Sequence, residues 1–241
     1  MDAINQRHRL GDHLHTNGFA FLEGAAFDPM LPPEAIAPTA WNSFAASWDG
    51  MPIDTYMADG GRYRRRRFAT FTATPGDIIR RAPHQPHYQT RDYNTLNGGI
   101  ERWFEPIDPA IANGPSFQGL LEFTRSLFEQ HAGTAPWHIE AHQFRIETGP
   151  HGAGQPTPEG MHRDGVDFVL VLMVQRTNIE QGTTTIHDLN GTTLGNFTLT
   201  HPRDAALVDD RRVFHGVTPV IPINPTTQAH RDVLVLTYRK V

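Results

Sequence analysis

The chain has 241 residues, enough to bury a sizeable core without staples and a length that all-β folds often reach as one domain. Its 21 Lys and Arg against 26 Asp and Glu give a formal charge of −5, which argues against a nucleic-acid surface or a polybasic membrane binder. Cysteine is absent, which excludes disulfides, thiolate zinc sites and cysteine nucleophiles. No apolar run approaches the ~20 residues of a membrane helix, and the first residues hold no apolar signal core. A cytoplasmic protein with no nucleic-acid or membrane partner is expected. Its fourteen histidines leave any metal site to His, Asp and Glu, a donor set suited to iron, zinc or manganese.

Asn5 to Asn17 reads as a short amphipathic helix, and Gly18 to Leu22 as a strand. Prolines at 29, 32, 33 and 38 break up the next segment, and Ala40 to Trp48 reads as a second helix. Tyr63 to Thr74 is a strand that opens on a run of arginines, and Pro75, Pro83 and Pro86 mark a loop. Ser116 to Ala132 carries apolar residues at helical spacing, with Gly133 as its C-terminal stop. From residue 136 strands and turns dominate. Trp137 to Ile146 is a strand, and Gly149 to Gly160 is a long Gly/Pro-rich loop of the kind that serves a site. Asp167 to Gln175 is almost continuously apolar, as in a strand buried on both faces. Short strands follow at Thr183–Asp188, Phe197–Leu199, Ala205–Asp209, Val213–Val217 and Val233–Tyr238. The pattern predicts a mainly β protein with flanking helices, a sandwich or jelly roll. Residues 1–241 are expected to form a single domain, in which a mixed support (1–135) packs on core strands (136–241) that carry the site.

His162-Arg163-Asp164 places a histidine and a carboxylate two residues apart, on one side of an extended chain. Both can reach one metal ion. A distant histidine then completes a two-His-one-carboxylate triad, which leaves positions open for a co-substrate and oxygen. An H-x-D pair arises readily by chance in so histidine-rich a chain, and His230/Asp232 is a second instance. No histidine lies downstream of His230 to complete a set there. His138, Glu140 and His142 share one face of a strand, but the outer two are about 13 Å apart along it, too far to wrap one ion. His162/Asp164 instead sits where the Gly/Pro loop enters the buried strand. His215, inside the short apolar strand Val213–Val217, is the downstream candidate, although taken alone it reads as a hydrogen-bonded core histidine. Arg231 opens the last apolar strand and suits bidentate binding of a carboxylate, such as the distal one of 2-oxoglutarate.

The run Pro158 to Phe168 (PEGMHRDGVDF) resembles a bacterial family of iron(II)/2-oxoglutarate dioxygenases that includes L-isoleucine 4-hydroxylases and related hydroxylases of free aliphatic amino acids. His142 to Ile146, Asn178 to Thr184, Asp209 to Pro219 and Arg231 to Tyr238 are also similar, as are Tyr93-Asn94, Gly98-Gly99 and Arg102 to Pro106. The resemblance implies a double-stranded β-helix (jelly-roll, cupin-like) core. It implies that His162, Asp164 and His215 are the catalytic iron ligands and that Arg231 binds 2-oxoglutarate. The cofactors it implies are Fe(II), 2-oxoglutarate and O2, with succinate and CO2 as co-products. Two departures stand out: Gln181-Gly182 replaces an expected Gly-Gly, and Val233 replaces a serine common two residues after the arginine.

An amino-acid substrate needs partners for its charges. Arg62 and Arg64 to Arg67 form a run that reads first as a solvated strand face, yet alternation sends one pair inward, and Arg65 with Arg67 is a candidate pair for the substrate carboxylate. Gln143 and Arg145 share a face of their strand, opposite His142 and Phe144, and are a second candidate pair. Glu159 would bind the substrate ammonium or brace its loop. The remaining alternatives are another metal-dependent cupin-like enzyme, an isomerase or lyase, and a non-catalytic jelly-roll binding module.

Overall fold

The computed structural model describes residues 3–149 and 152–241; Pro150 and His151, in the expected 149–160 loop, lie outside the described residues. Helices α1 (Ala3–Asn17), α2 (Gly24–Phe27), α3 (Pro33–Ile36) and α4 (Pro38–Ala46) fill the N-terminal region around strand β1 (Phe19–Leu22). Strands β2 (Arg64–Ala73) and β3 (Arg80–Arg81) precede helices α5 (Pro109–Ala112) and α6 (Pro115–Ala132). The rest is strand: β4 (Trp137–Thr148), β5 (Phe168–Thr177), β6 (Ile179–Gln181), β7 (Thr183–Asp188), β8 (Thr193–Thr198), β9 (Ala205–Asp209), β10 (Val213–Val217), β11 (Val220–Pro222) and β12 (Ala229–Lys240). The main predicted elements are present within a few residues. The last strand is longer than expected at both ends. The short elements α2, α3, α5, β3, β6 and β11 hold too few residues to show a period, so the sequence pattern does not reveal them.

A seven-stranded sheet runs in the order β1-β9-β5-β12-β4-β2-β3, and a three-stranded sheet, β10-β7-β8, faces it. A small β11-β6 pair completes the jelly roll. All named strand pairs are antiparallel. The turn between β6 and β7 keeps its left-handed shape despite the sequence departure there: Gln181 has φ 62° and Gly182 φ 75°.

The large sheet has two faces of different character, a consequence of the two-residue strand period. On one face Ile139, Leu170, Leu234 and Leu236 pack under α6, whose buried residues Phe117, Leu120, Leu121, Leu127 and Phe128 follow helical spacing. Pro115 starts that helix, and Gly133, at φ 79°, ends it. Tyr238 ties β12 to α6, its hydroxyl donating to the Leu121 carbonyl at 3.0 Å. On the opposite face Val169, Val208 and Val233 pack toward Ile186, Val213 and Leu199 of the smaller sheet and its surroundings. Between these layers the jelly roll opens into a cavity.

Gln143, Arg145, Arg65 and Arg67 all fall on the helix side, which corrects the expectation that they meet substrate. In the β2–β4 register Arg65 pairs with Arg145 and Arg67 with Gln143, so the four share one face. Arg65 donates to Glu147 at 2.6 Å, Arg67 to Glu105 at 2.8 Å, and Gln143 to the Ser47 hydroxyl at 2.7 Å. Arg145 grips Asp232 with two bonds of 2.7 Å. Asp232 is fully buried, whereas the other partner of Arg145, Asp49, is largely exposed. Arg145→Ala therefore removes the arginine partner of a buried carboxylate, leaving it His230 at 3.5 Å, and is expected to lower the unfolding free energy by about 3–5 kcal/mol. Urea denaturation measures it, and a loss of well under 1 kcal/mol would contradict the role.

Candidate metal centre and ligand cavity

The Gly/Pro loop and the residues after it meet strand β10, where the Thr157 hydroxyl bonds the Val217 backbone. His162 and His215 lie opposite each other, and each backbone N–H donates to the other's carbonyl at 2.9 Å. Their rings then stand side by side, with centroids 4.5 Å apart. Asp164, two residues on, turns its carboxylate between them. Its Oδ1 is 3.7 Å from His162 Nε2, and its Oδ2 is 3.6 Å from His215 Nε2. The structure thus brings together His162, Asp164 and His215, with one donor atom from each within 4.8 Å of the others.

The surroundings suit these donors to a metal. His162 Nδ1 lies 3.1 Å from the Gly160 carbonyl, an acceptor, so the ring proton sits on Nδ1 and Nε2 keeps its lone pair. Burial lowers the His162 pKa, but the carboxylates of Asp164 and Glu159 outweigh it and leave it raised. Burial, then neighbouring His162, pushes His215 down to about 4, which keeps that imidazole neutral. Burial raises Asp164, yet the two imidazoles hold it below its ordinary value. Two imidazoles and one carboxylate on one side of an open space fit a facial iron(II) site.

Sequence reasoning missed the support of this loop. The buried Asp210 carboxylate accepts the backbone N–H groups of Asp164, Gly165 and Val166 at 2.9, 2.8 and 3.1 Å. Gly165 has φ 79°, and a Cβ there would stand 2.6 Å from the Tyr93 ring, so the turn after Asp164 requires glycine. The signal for Asp210 was its place in the Asp209-Asp210 pair upstream of His215, where a buried acid next to an apolar strand needs a reason.

These residues open onto a cavity of about 540 Å3. Its walls include Glu159, Arg231 and the valines 169, 171, 208, 217, 233 and 235, and also His138, Glu140 and His142. Arg64 and Arg66, not Arg65 and Arg67, are the arginines of the run that face it. Two loop residues that no periodicity flags, His87 and Arg102, complete the wall. Arg231 is 3% exposed and its Nε has no partner. Burial, then nearby Arg176, lowers its pKa to about 10, so it stays charged at neutral pH.

His87, Glu140 and His142 form a second group of metal-type side chains; His87, from the loop, takes the place that the strand spacing denies to His138. His87 Nδ1 lies 2.9 Å from Glu140 and His142 Nε2 3.4 Å from it. The Arg66 guanidinium donates to His142 Nδ1 at 2.7 Å. A fixed positive charge at that distance opposes a divalent cation, so the group reads as a hydrogen-bonded network. Asp210→Ala is expected to weaken Mn(II) or Fe(II) binding about 10–100-fold by freeing the Asp164 loop, and Ala at His162, Asp164 or His215 to abolish it. Metal titration by calorimetry distinguishes this site from the second group: binding that survives His215→Ala but is lost in His142→Ala would reverse the assignment.

Comparison with known proteins gives the family. The chain is 24% identical to a 3(1)-hydroxy-L-isoleucine 4-dioxygenase of Pantoea ananatis over 238 residues, covering 95% of this chain and 94% of that one. It is 24% identical to an L-isoleucine-4-hydroxylase of Bacillus thuringiensis over 176 residues, covering 71% and 72%. The crystal structure of a BsmA homologue from Methylobium petroleophilum superposes with a TM-score of 0.87 at 39% identity, covering 97% of this chain and 93% of that one. The model of the 2OG-Fe dioxygenase family matches residues 45–237. The isomerase, lyase and binding-module alternatives are set aside: the chain belongs to the 2OG-Fe dioxygenases and is a non-heme iron enzyme that uses iron(II), 2-oxoglutarate and oxygen.

Proposed function

We propose that the protein hydroxylates a small substrate, a free aliphatic L-amino acid, at an unactivated C–H bond. The observation that carries this reading is the single cavity that holds the His162–Asp164–His215 set, the charge of Arg231 and a valine-lined wall. The names of the Pantoea and Bacillus relatives, both isoleucine-type dioxygenases or hydroxylases, support the amino-acid class. In this reading residues 1–241 act as one dioxygenase domain, in which the 1–135 elements brace the strands of 136–241.

His162, Asp164 and His215 would hold iron(II), which supplies oxygen activation coupled to oxidative decarboxylation of 2-oxoglutarate. One oxygen atom goes to succinate, one to the substrate as hydroxyl, and the keto acid leaves CO2. The chain's own contribution is placement. No carboxylate lies within 4 Å of Arg231 among the described residues. Its fork is therefore available to the distal carboxylate of 2-oxoglutarate through two charge-assisted hydrogen bonds. Val233, where serine is common, cannot add a hydrogen bond, so Arg231 carries more of that contact here. The valines offer the substrate side chain an apolar wall and keep water from the reacting carbon. Fixing that carbon near the metal converts a bimolecular step into an oriented one.

Succinate release from 2-oxoglutarate, with iron(II) and ascorbate, across a panel of free amino acids tests the reading. Branched aliphatic amino acids should stimulate it. A panel in which no free amino acid raises succinate above the uncoupled background would sink the substrate class. Arg231→Lys keeps the charge and loses the fork, so the KM for 2-oxoglutarate should rise about tenfold. An unchanged KM in Arg231→Ala would move the clamp to another arginine.

A further inference from the structure

The cavity wall holds more buried charge than iron and 2-oxoglutarate account for. Arg64 is already matched, since its guanidinium bonds Asp54 at 2.8 and 2.7 Å. Arg66 and Arg102 are not. Both are buried, neither has a carboxylate within 4 Å among the described residues, and the Nε of each has no partner. Arg66 is rigidly held, 4.0 Å over the Phe104 ring and 4.6 Å from that of Phe144, with one amino group spent on His142. Arg102 reaches Gln89 at 3.4 Å, and the same Gln89 donates to the Asp164 carbonyl at 3.1 Å. Arg102 thus stands one side chain away from the metal loop, and Arg66 lines the same cavity beside it. On the other side of that loop, Glu159 is nine-tenths buried, its Oε1 lies 3.4 Å from His162 Nε2, and its Oε2 has no partner.

Unpaired buried ions cost several kcal/mol each unless a ligand supplies the partner. Among the buried and half-buried charges that line the cavity, Arg66, Arg102 and Arg231 balance Glu140, Glu159 and Asp164, with Arg64 neutralised by Asp54. Iron(II) balances the 2-oxoglutarate dianion. The remaining ligand is therefore one with no net charge but with separated plus and minus ends. We propose that Arg66 and Arg102 bind the substrate carboxylate and that Glu159 binds its ammonium group. The assignment rests on the amino-acid reading above.

The test loads the enzyme with Mn(II) in place of iron(II) and with 2-oxoglutarate. Calorimetry then measures L-isoleucine and its ammonium-free analogue 3-methylpentanoate. Arg66→Gln and Arg102→Gln should each weaken L-isoleucine about 10–100-fold, with the Kd for 2-oxoglutarate unchanged, and Arg102→Lys should recover part of the loss. Glu159→Gln should weaken L-isoleucine but not 3-methylpentanoate. The ligand-free Arg102→Gln protein should melt at or above the wild-type temperature, because an uncompensated charge is removed; a structural arginine would give a lower one.

L-Isoleucine binding that ignores both arginine variants overturns the subsite and leaves the amino-acid reading standing. Loss of 2-oxoglutarate affinity in Arg102→Gln overturns it too, by making that arginine the co-substrate clamp. Loss of Mn(II) affinity in Glu159→Gln makes Glu159 a metal ligand and removes the ammonium assignment. If no amino acid binds yet 3-methylpentanoate does so through Arg102, the amino-acid reading and Glu159 fall while the arginine subsite holds. If neither ligand binds, all three fall.

Discussion

Two backbone hydrogen bonds between His162 and His215 bring the candidate metal donors together. They join a Gly/Pro-rich loop to strand β10, elements far apart in sequence, and they do it through main-chain groups that any residue could supply. What is specific is the chemistry hung on the junction: two imidazoles whose free nitrogens face one carboxylate, with the loop beyond pinned by Asp210. A rigid backbone junction suits a metal centre, whose ligands must be preorganised to bind and orient the ion.

The large sheet separates two kinds of buried charge. On the helix side they are closed into pairs, as Arg145 is with Asp232. On the cavity side Arg231, Arg66 and Arg102 keep unpartnered N–H groups. A protein tolerates such groups where bound molecules complete them, and the cost to the ligand-free fold returns as ligand-linked stability. The same asymmetry explains why Arg145, attractive as a substrate partner on residue type alone, belongs to the fold.

Much of the fold and half of the site could be read from the chain. The strands and α6 were legible because their apolar residues repeat at two or at three to four positions. The candidate metal set was legible because His162-x-Asp164, His215 and Arg231 combine metal- and carboxylate-binding residue types with strand contexts. His87 and Arg102 were not, since they lie in an aperiodic stretch and meet only through a backbone bridge in which each N–H donates to the other's carbonyl at 3.0 Å. Asp210 hid for another reason: its partners are main-chain amides, which leave no pattern in side chains.

The arginine run misleads about which of its members turn inward, and the cause is physical. Four identical residues in a row look the same after a slip of one position, so Arg64–Arg67 carries no register information of its own. The phase of β2 is set downstream, where Phe68 must stack near His142 on the cavity face and Phe71 must enter the core beside Phe117 on the other. Cavity-facing and helix-side guanidiniums are thus sorted by two phenyl rings further along the strand. A change that blurred the contrast at 68 and 71 would exchange the two sets of arginines while preserving every arginine in the chain.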